Sequence, residues 1–415
     1  MGALSAADVA HPLILPLPPL VPPARNALRW LALRQLRTSW AGSRLDLTLP
    51  SGQTIRLGGK GAADARASIT DDRLFLRVLL RGEMGAGESF VAGEWSSDDV
   101  VGVVRAFLRA TAARGVESPL TRLARWPALV RYRHAANSRT GSERNIHAHY
   151  DLGNAFYRLF LDPETFAYSC AIYRDGDSLA DAQRRKLDRL CDLLELSPSD
   201  HLLELGCGWG GMAIHAARTR GCRVTAITVS REQRELAAAR VATAGLGDRI
   251  AVEYRDYRDL TGTFDKIVSI EMLEAVGFDF LPEFFGVCAR ALGPRASGGR
   301  LALQTITMPD DRFETYRKNV DWMQTYIFPG ACIPSLAAIR AAATPFTLIR
   351  SDDIGPDYAP TLRAWRDRFV SELPAVRALG FDEPFIRTWL LYLAFSEAAF
   401  TERTLGDHQL LFEQR

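Results

Sequence analysis

The sequence predicts an α/β protein: a doubly wound, Rossmann-like sheet carrying helical insertions, preceded by a small α+β domain. Three observations carry this. From Asn145 onward, short apolar runs alternate with stretches of helical periodicity, the pattern of parallel strands joined by crossover helices. The run Leu202–Leu205 stops in Gly206-Cys207-Gly208-Trp209-Gly210-Gly211, and a helical pattern begins at Met212. Before residue 113 the pattern is different, with hairpin-like alternation followed by one helical stretch.

The elements follow in order. Residues 1–25 are expected to be a flexible, proline-rich arm; His11–Pro23 is apolar but broken by prolines and lacks the charged start of a signal peptide. Residues 26–113 form the small α+β domain. It contains a hairpin over 44–57 that turns at Pro50-Ser51-Gly52, an alternating strand over Ser68–Leu80, a glycine-rich stretch Gly82–Trp95 and a helix over Asp98–Ala113. Residues 114–144 are an arginine-rich linker, whose charge suits solvent or anionic headgroups.

The main domain spans 145–415. Ser178 caps a helix whose Leu179, Ala182, Leu187, Leu190 and Leu194 share a face, and Ser197-Pro198 ends it. Strands are expected at Leu202–Leu205, Arg223–Thr228, Ile250–Tyr254, Phe264–Ile270, Arg300–Thr307, Phe346–Asp352 and Gln409–Phe412. Helices are expected at Gly211–Thr219, Glu232–Ala244 and Pro282–Leu292. Two helical stretches, Asp310–Ala342 and Thr361–Arg403, interrupt this alternation and are long enough to roof a pocket.

Composition narrows the function. The net charge of +2 gives no case for a nucleic-acid partner. The six cysteines, at 170, 191, 207, 222, 288 and 332, form no C-x-x-C pair, so neither a metal site nor a disulfide framework is expected, and a reducing cytoplasm fits. No apolar run reaches transmembrane length.

The glycine turn carries the first chemistry. Glycines permit a tight turn and close backbone approach to a ligand, and the following helix presents free N–H groups. With Glu204 just before it, the turn reads E-x-G-x-G-x-G. That resembles the opening of class I S-adenosylmethionine methyltransferases. It differs from the dinucleotide spacing, whose third glycine comes one residue later.

Other segments fall where strand ends are expected: NIHAHYDLGNAFYRLFLDPETFAYSCA (145–171), TAITVSREQ (225–233), DYRDL (256–260), SIEMLEAVG (269–277) and YIFPGACIP (326–334). With GESFVAGEW (87–95), these motifs resemble the cyclopropane fatty acid synthase family from about residue 80 to the C-terminus. Its members methylate the cis double bond of lipid acyl chains with S-adenosylmethionine. Membership implies a peripheral enzyme on the inner membrane face. Its partners would be a phospholipid surface and an unsaturated acyl chain, and a homodimer would form through the N-terminal domain.

Carried over, the resemblance gives Tyr168 and Ser169 the methionine end of the cofactor. Glu204, Gly206, Cys207, Gly208 and Gly210 form its loop, Thr228 and Gln233 reach the ribose, and Asp256 and Tyr257 flank the adenine. It also implies a bicarbonate ion, held by backbone groups of Cys170 and Ile306 and by the side chains of Glu274, Tyr358 and Gln304. Gln304 stands where His is common, and Leu273-Glu274-Ala275 stands for Phe-Glu-His. Glutamine donates and accepts hydrogen bonds but carries no proton at neutral pH.

An alkene is a weak nucleophile, so the methyl must be aimed at it, and the resulting cation needs an apolar, aromatic-lined site and a base. Tyr316, Trp322, Tyr326, Phe328 and Trp365 fall in the insertions and are candidates for such faces or for plain core. Proton loss from the new methyl closes a cyclopropane. Loss by another route, from a neighbouring carbon or after a hydride shift, gives a methylene or methyl-branched chain, which a separate reductase would saturate. A non-lipid small-molecule methyltransferase is the reading from another class. Plainer roles also stand beside the assigned ones: Cys170 as a small core residue, Glu274 as a helix-start carboxylate, and Glu271 as a solvated or supporting residue on the same helical face as Glu274. His147 and His149 match no metal site.

Overall fold

The computed structural model describes residues 17, 22–111, 152–293 and 299–415. The linker at 114–144, most of the N-terminal arm, and His147, His149 and Tyr150 lie outside them.

The main sheet has seven strands: β5 (His201–Leu205), β6 (Arg223–Thr228), β7 (Ile250–Tyr254), β8 (Lys266–Ile270), β9 (Arg300–Thr307), β10 (Phe346–Asp353) and β11 (Gly406–Gln414). Their order is β10-β11-β9-β8-β5-β6-β7. β5 pairs in parallel with both β6 and β8, so the strand order reverses beside it. In such sheets ligands sit at the carboxyl ends next to that reversal. β11 is antiparallel to β9 and β10 and lies between them, with β10 at that edge of the sheet.

Strand alternation sorts the side chains onto two faces. Leu202, Val224, Ala226, Val268 and Ala302 pack with the helices Leu179–Leu193, Gly211–Arg220 and Arg231–Thr243. Leu203, Leu205, Ile227, Ile267 and Leu301 pack with Leu281–Leu292. The expected doubly wound architecture is the one observed. Ser178 caps its helix reciprocally with Asp181, as its position before an apolar periodic run implies.

The N-terminal part differs from expectation in three places. The arm ends earlier than residue 25, because a helix begins at Pro22 and runs to Ser39. The hairpin is present as β1 (Leu45–Thr48) and β2 (Thr54–Leu57). The strand expected over 68–80 is instead β3 (Ala65–Ile69) followed by a helix, Arg73–Arg81. Leu74, Phe75 and Val78 bury one face of that helix, a helical period hidden inside an apolar run. The glycine-rich stretch is a second helix, Glu83–Val91, before the short strand β4 (Trp95–Ser96).

That glycine-rich helix explains the motif GESFVAGEW. A Cβ on Gly87 would lie 2.6 Å from the Trp322 ring, so glycine admits the roof helix Trp322–Tyr326 at close range. Tyr326 donates to Glu88 Oε1 at 2.5 Å, and Arg77 pairs with buried Glu94 at 3.1 Å. Arg387, on the long helix Glu383–Thr401, donates to the carbonyls of Phe90 and Trp95. One apolar cluster therefore runs from the N-terminal sheet into the roof. The first insertion is also less regular than expected, broken into Asp310–Tyr316, Trp322–Tyr326 and Leu336–Ala342.

Candidate active site

Two cavities meet at the carboxyl ends of β5 and β8. The first is lined by Tyr168, Ser169, Glu204, Gly206, Cys207, Gly208, Thr228, Gln233, Asp256 and Tyr257, each assigned to the cofactor from sequence. Gly210 is not on its wall; it sits with φ +81° at the start of the helix Gly211–Arg220.

The wall suits a compact, polar, partly cationic ligand. Gly208 has φ +50°, and a Cβ added there would meet no protein atom within 4 Å, so it faces open cavity. Glu204 is buried, and its Oε2 has no hydrogen-bond partner. Burial pushes its carboxyl up to about 8, while the backbone N–H of Ala213 and the nearby Lys186 pull it back. An unsatisfied buried carboxylate oxygen is an acceptor waiting for a cation. Lys186, fully buried, donates to Ser169 Oγ at 2.6 Å, and burial lowers its pKa. Thr228 donates to Gln233 Oε1 at 2.9 Å, which holds the end of β6. Asp256 is committed to Arg258, its Oδ1 accepting from the backbone N–H and both Oδ atoms from the guanidinium. These groups suit the polar and cationic parts of S-adenosylmethionine.

The second cavity, about 310 Å³, lies beneath the roof helices. Its wall is largely apolar and aromatic: Ile306, Met308, Met323, Phe328, Phe395 and Phe400 among others. Of the five aromatics singled out from sequence, Tyr316 and Phe328 line it. Trp365 is fully buried core against Tyr168, Trp322 faces Gly87, and Tyr326 is tied to Glu88. Sequence reading missed Tyr392, Phe395 and Phe400, because the helix carrying them is apolar nearly all round and shows no distinct face. Tyr168, Glu271 and Ala275 line both cavities and mark where they join. A further apolar cavity of about 390 Å³ reaches into the N-terminal domain and shares Tyr316, Met323 and Phe395 with the second.

The residues assigned to bicarbonate do gather, but their donors are already taken. Glu274, Ile306 and Tyr358 line the second cavity; Cys170 and Gln304 line neither. The Ile306 backbone N–H and the Thr305 hydroxyl both donate to Glu274 Oε1. The Cys170 N–H and Gln304 Nε2 donate to Glu271 Oε1 at 2.7 and 2.9 Å, and Tyr358 donates to Glu271 Oε2 at 2.6 Å. A bicarbonate ion would find each of these donors committed to a carboxylate of the chain, so the residues present do not fit it.

Glu271 also departs from its expected place. It precedes the short helix Leu273–Val276 in a left-handed conformation, φ +48°, so it does not share a helical face with Glu274. Its importance had one sequence signal, a carboxylate at the end of β8 beside an unusual glutamine at 304. Those positions adjoin in the parallel β8–β9 pair, where Ile270 stands opposite Gln304.

Ionisation follows burial. Burial, then the neighbouring Glu271, pushes Glu274 up to about 8. The same two causes raise buried Asp407 well above the carboxylate range and keep Tyr358 protonated. Burial holds Cys170 as a thiol.

The comparisons agree with this geometry. The family model for mycolic acid cyclopropane synthetase matches residues 137–410. Tuberculostearic acid methyltransferase UfaA1 of Mycobacterium tuberculosis is 41% identical over 368 residues, 84% of each chain. The cyclopropane-fatty-acyl-phospholipid synthase of Escherichia coli K12 is 34% identical over 364 residues, 87% of this chain and 90% of its own. Among solved structures, the mycolic acid cyclopropane synthase CmaA1 complexed with SAH and CTAB superposes with TM-score 0.61 at 30% identity, covering 66% of this chain and 98% of that one. The chain is a methyltransferase with the class I S-adenosylmethionine-dependent fold, and it belongs to the mycolic acid cyclopropane synthetase family.

Proposed function

We propose that this protein methylates the cis double bond of an unsaturated acyl chain carried on a phospholipid. The observation that carries the reading is the junction at Tyr168, Glu271 and Ala275, where the more polar cavity, suited to the cofactor, opens into an apolar one suited to a hydrocarbon. Bound S-adenosylmethionine supplies an electrophilic methyl on a sulfonium sulfur.

The chain's own residues do the rest. Glu204 and Ser169 orient the amino-acid end, and the loop at Gly206–Gly208 lets the ligand approach the backbone. The roof excludes water and keeps the alkene in reach. Tyr168 stands at the junction with its hydroxyl 2.7 Å from that of Tyr392, and both residues line the second cavity. The apolar cavity toward the N-terminal domain gives the remainder of the acyl chain a place to lie.

The first reading of the product is a cyclopropane. A second, a methylene or methyl-branched chain, is favoured by Gln304 in place of the family's usual His and by the tuberculostearic acid methyltransferase among the relatives. A separate reductase would then complete a saturated branch.

Contact with the bilayer is peripheral, at the inner membrane face of the cytoplasm. No helix among the described residues is long and apolar enough to cross a membrane. Trp30 and Leu31, 58% and 46% exposed on the first helix, support lipid contact through the N-terminal domain. A homodimer through the same domain belongs to this reading. The test is incubation of the purified full chain and S-adenosylmethionine with vesicles of cis-monounsaturated phospholipid, and separately with the free fatty acid. Methylated phospholipid supports the reading; no methylation of either lipid returns it to a small-molecule methyltransferase.

A further inference from the structure

We propose that Glu271 is this chain's built-in base for the methylated acyl chain, taking the place of an external bicarbonate ion. The inference rests on the functional reading above.

Geometry is the first argument. The Cys170 N–H, the Gln304 amide and the Tyr358 hydroxyl converge on the two oxygens of Glu271 at 2.6–2.9 Å. A group that only accepts, from three donors, is in the role of an ionised carboxylate. Cys170 and Gln304 line neither cavity, whereas Glu271 lines both. Any anion those donors orient toward the reacting atoms is therefore the Glu271 carboxylate.

The backbone is the second. A non-glycine residue at φ +48° costs about 1–2 kcal/mol, and such strain persists where surrounding contacts over-determine it. Here the Glu271 N–H donates to the Gln304 carbonyl at 2.7 Å while its side chain accepts from the Gln304 amide, so one residue pins it at both ends. Gln304 is pinned in turn, its Oε1 accepting from Gln409 at 3.1 Å. This network holds a carboxylate where a helical or extended residue would not put it.

Charge is the third. The groups facing Glu271 are Glu274, Asp407, Tyr358, Cys170 and Lys186. Burial favours the neutral form of the first four, and the three donors converge on Glu271 rather than on any of them.

One alkene carbon bonds the methyl carbon as the S–CH3 bond breaks, leaving S-adenosylhomocysteine and a cation at the other alkene carbon. A C–H bond of the new methyl, or of the neighbouring carbon, then breaks. Its electron pair forms the ring bond or a double bond, and its proton goes to a Glu271 oxygen. That proton passes to water after the product leaves.

The test compares wild type, E271Q and E271G on vesicles of cis-monounsaturated phospholipid in bicarbonate-free buffer under carbon-dioxide-free gas, then with bicarbonate restored. Thermal melts and titration with S-adenosylhomocysteine accompany each protein. Glycine suits the left-handed backbone, so E271G keeps the fold while emptying the anion position. Wild-type turnover should be indifferent to bicarbonate. E271Q should lose about 100-fold or more in turnover with unchanged affinity for S-adenosylhomocysteine. E271G should be inactive without bicarbonate and regain turnover when it is added. Wild-type turnover that collapses without bicarbonate overturns the proposal, as does E271Q or E271G working at the wild-type rate without it. No methylated lipid from wild type under either condition overturns the functional reading, and the base assignment with it.

Discussion

Gln409 stands directly opposite Gln304 in the antiparallel β11–β9 register, and its Nε2 donates to Gln304 Oε1 at 3.1 Å. This bond sets which way round the Gln304 amide lies. Its Nε2 is thereby directed to the Cys170 carbonyl and Glu271, at 3.1 and 2.9 Å. The substitution Gln409→Leu leaves the buried Gln304 oxygen without a donor, which costs about 1–3 kcal/mol. Urea denaturation should show that loss, and turnover should fall more than affinity for S-adenosylhomocysteine. An unchanged denaturation midpoint would mean the bond does not hold the amide.

Gly208→Val separates ligand binding from folding. Its Cβ would meet no protein atom within 4 Å, so the fold should survive with only the left-handed penalty of about 1–2 kcal/mol. The side chain would instead fill the cofactor cavity, and binding of S-adenosylhomocysteine by calorimetry should be lost. Tight binding by a folded Gly208→Val protein would remove the loop from the cofactor site.

Glu204 predicts a pH dependence. Its carboxyl titrates near 8 in the fold against an ordinary 4.5, because burial disfavours the charge. Between those values the unfolded chain binds fewer protons than the folded one, so this group's contribution to stability falls as pH rises from about 4.5 and levels off above about 8. E204Q lacks that loss, and its stability relative to wild type should grow across the same window. Ligand binding goes the other way. A cationic amino group beside Glu204 favours the ionised form, so affinity for S-adenosylhomocysteine should rise with pH up to about 8 in wild type and stay flat in E204Q. Parallel profiles for the two proteins would contradict the assignment.

Tyr326→Phe tests the seam between the N-terminal domain and the roof. Glu88 is buried there and accepts from Tyr326 and from Arg81, each at 2.5 Å. Burial already pushes its carboxyl up, so losing a donor is costly, about 1.5–3 kcal/mol for a bond to a charged group. The melting temperature should fall, and the loss should be much smaller when Glu88 is already Gln.

The sheet and the cofactor cavity were legible in the sequence because local pattern determines them. Alternation marks β5–β9, Ser178 marks a helix start, and a glycine turn after a buried strand leaves few ways to fold. The site around Glu271 was not legible, since its partners lie 33 to 101 residues away in sequence and meet only through the sheet register. Nothing local marks Glu271 as left-handed. The helix Arg73–Arg81 read as a strand for a related reason: its apolar residues are dense enough to satisfy both periods, and packing against the helices Pro22–Ser39 and Glu83–Val91 decides between them. The aromatics of the long roof helix carried no signal, because burial on every side erases the periodicity that would separate cavity wall from core.

The central claim is methyl transfer to an acyl-chain double bond. Mass spectrometry of phospholipids from a host rich in cis-monounsaturated chains, with and without this protein and fed deuteriomethyl methionine, tests it most directly. Labelled acyl chains that have gained one carbon, with the chain length unchanged, are expected. Two deuterons kept means the methyl lost a proton, as a cyclopropane requires and as a methylene group formed after a hydride shift also requires; three kept means a neighbouring carbon lost it, leaving an intact methyl branch. Lipids without label, from cells that contain the folded protein, would contradict it.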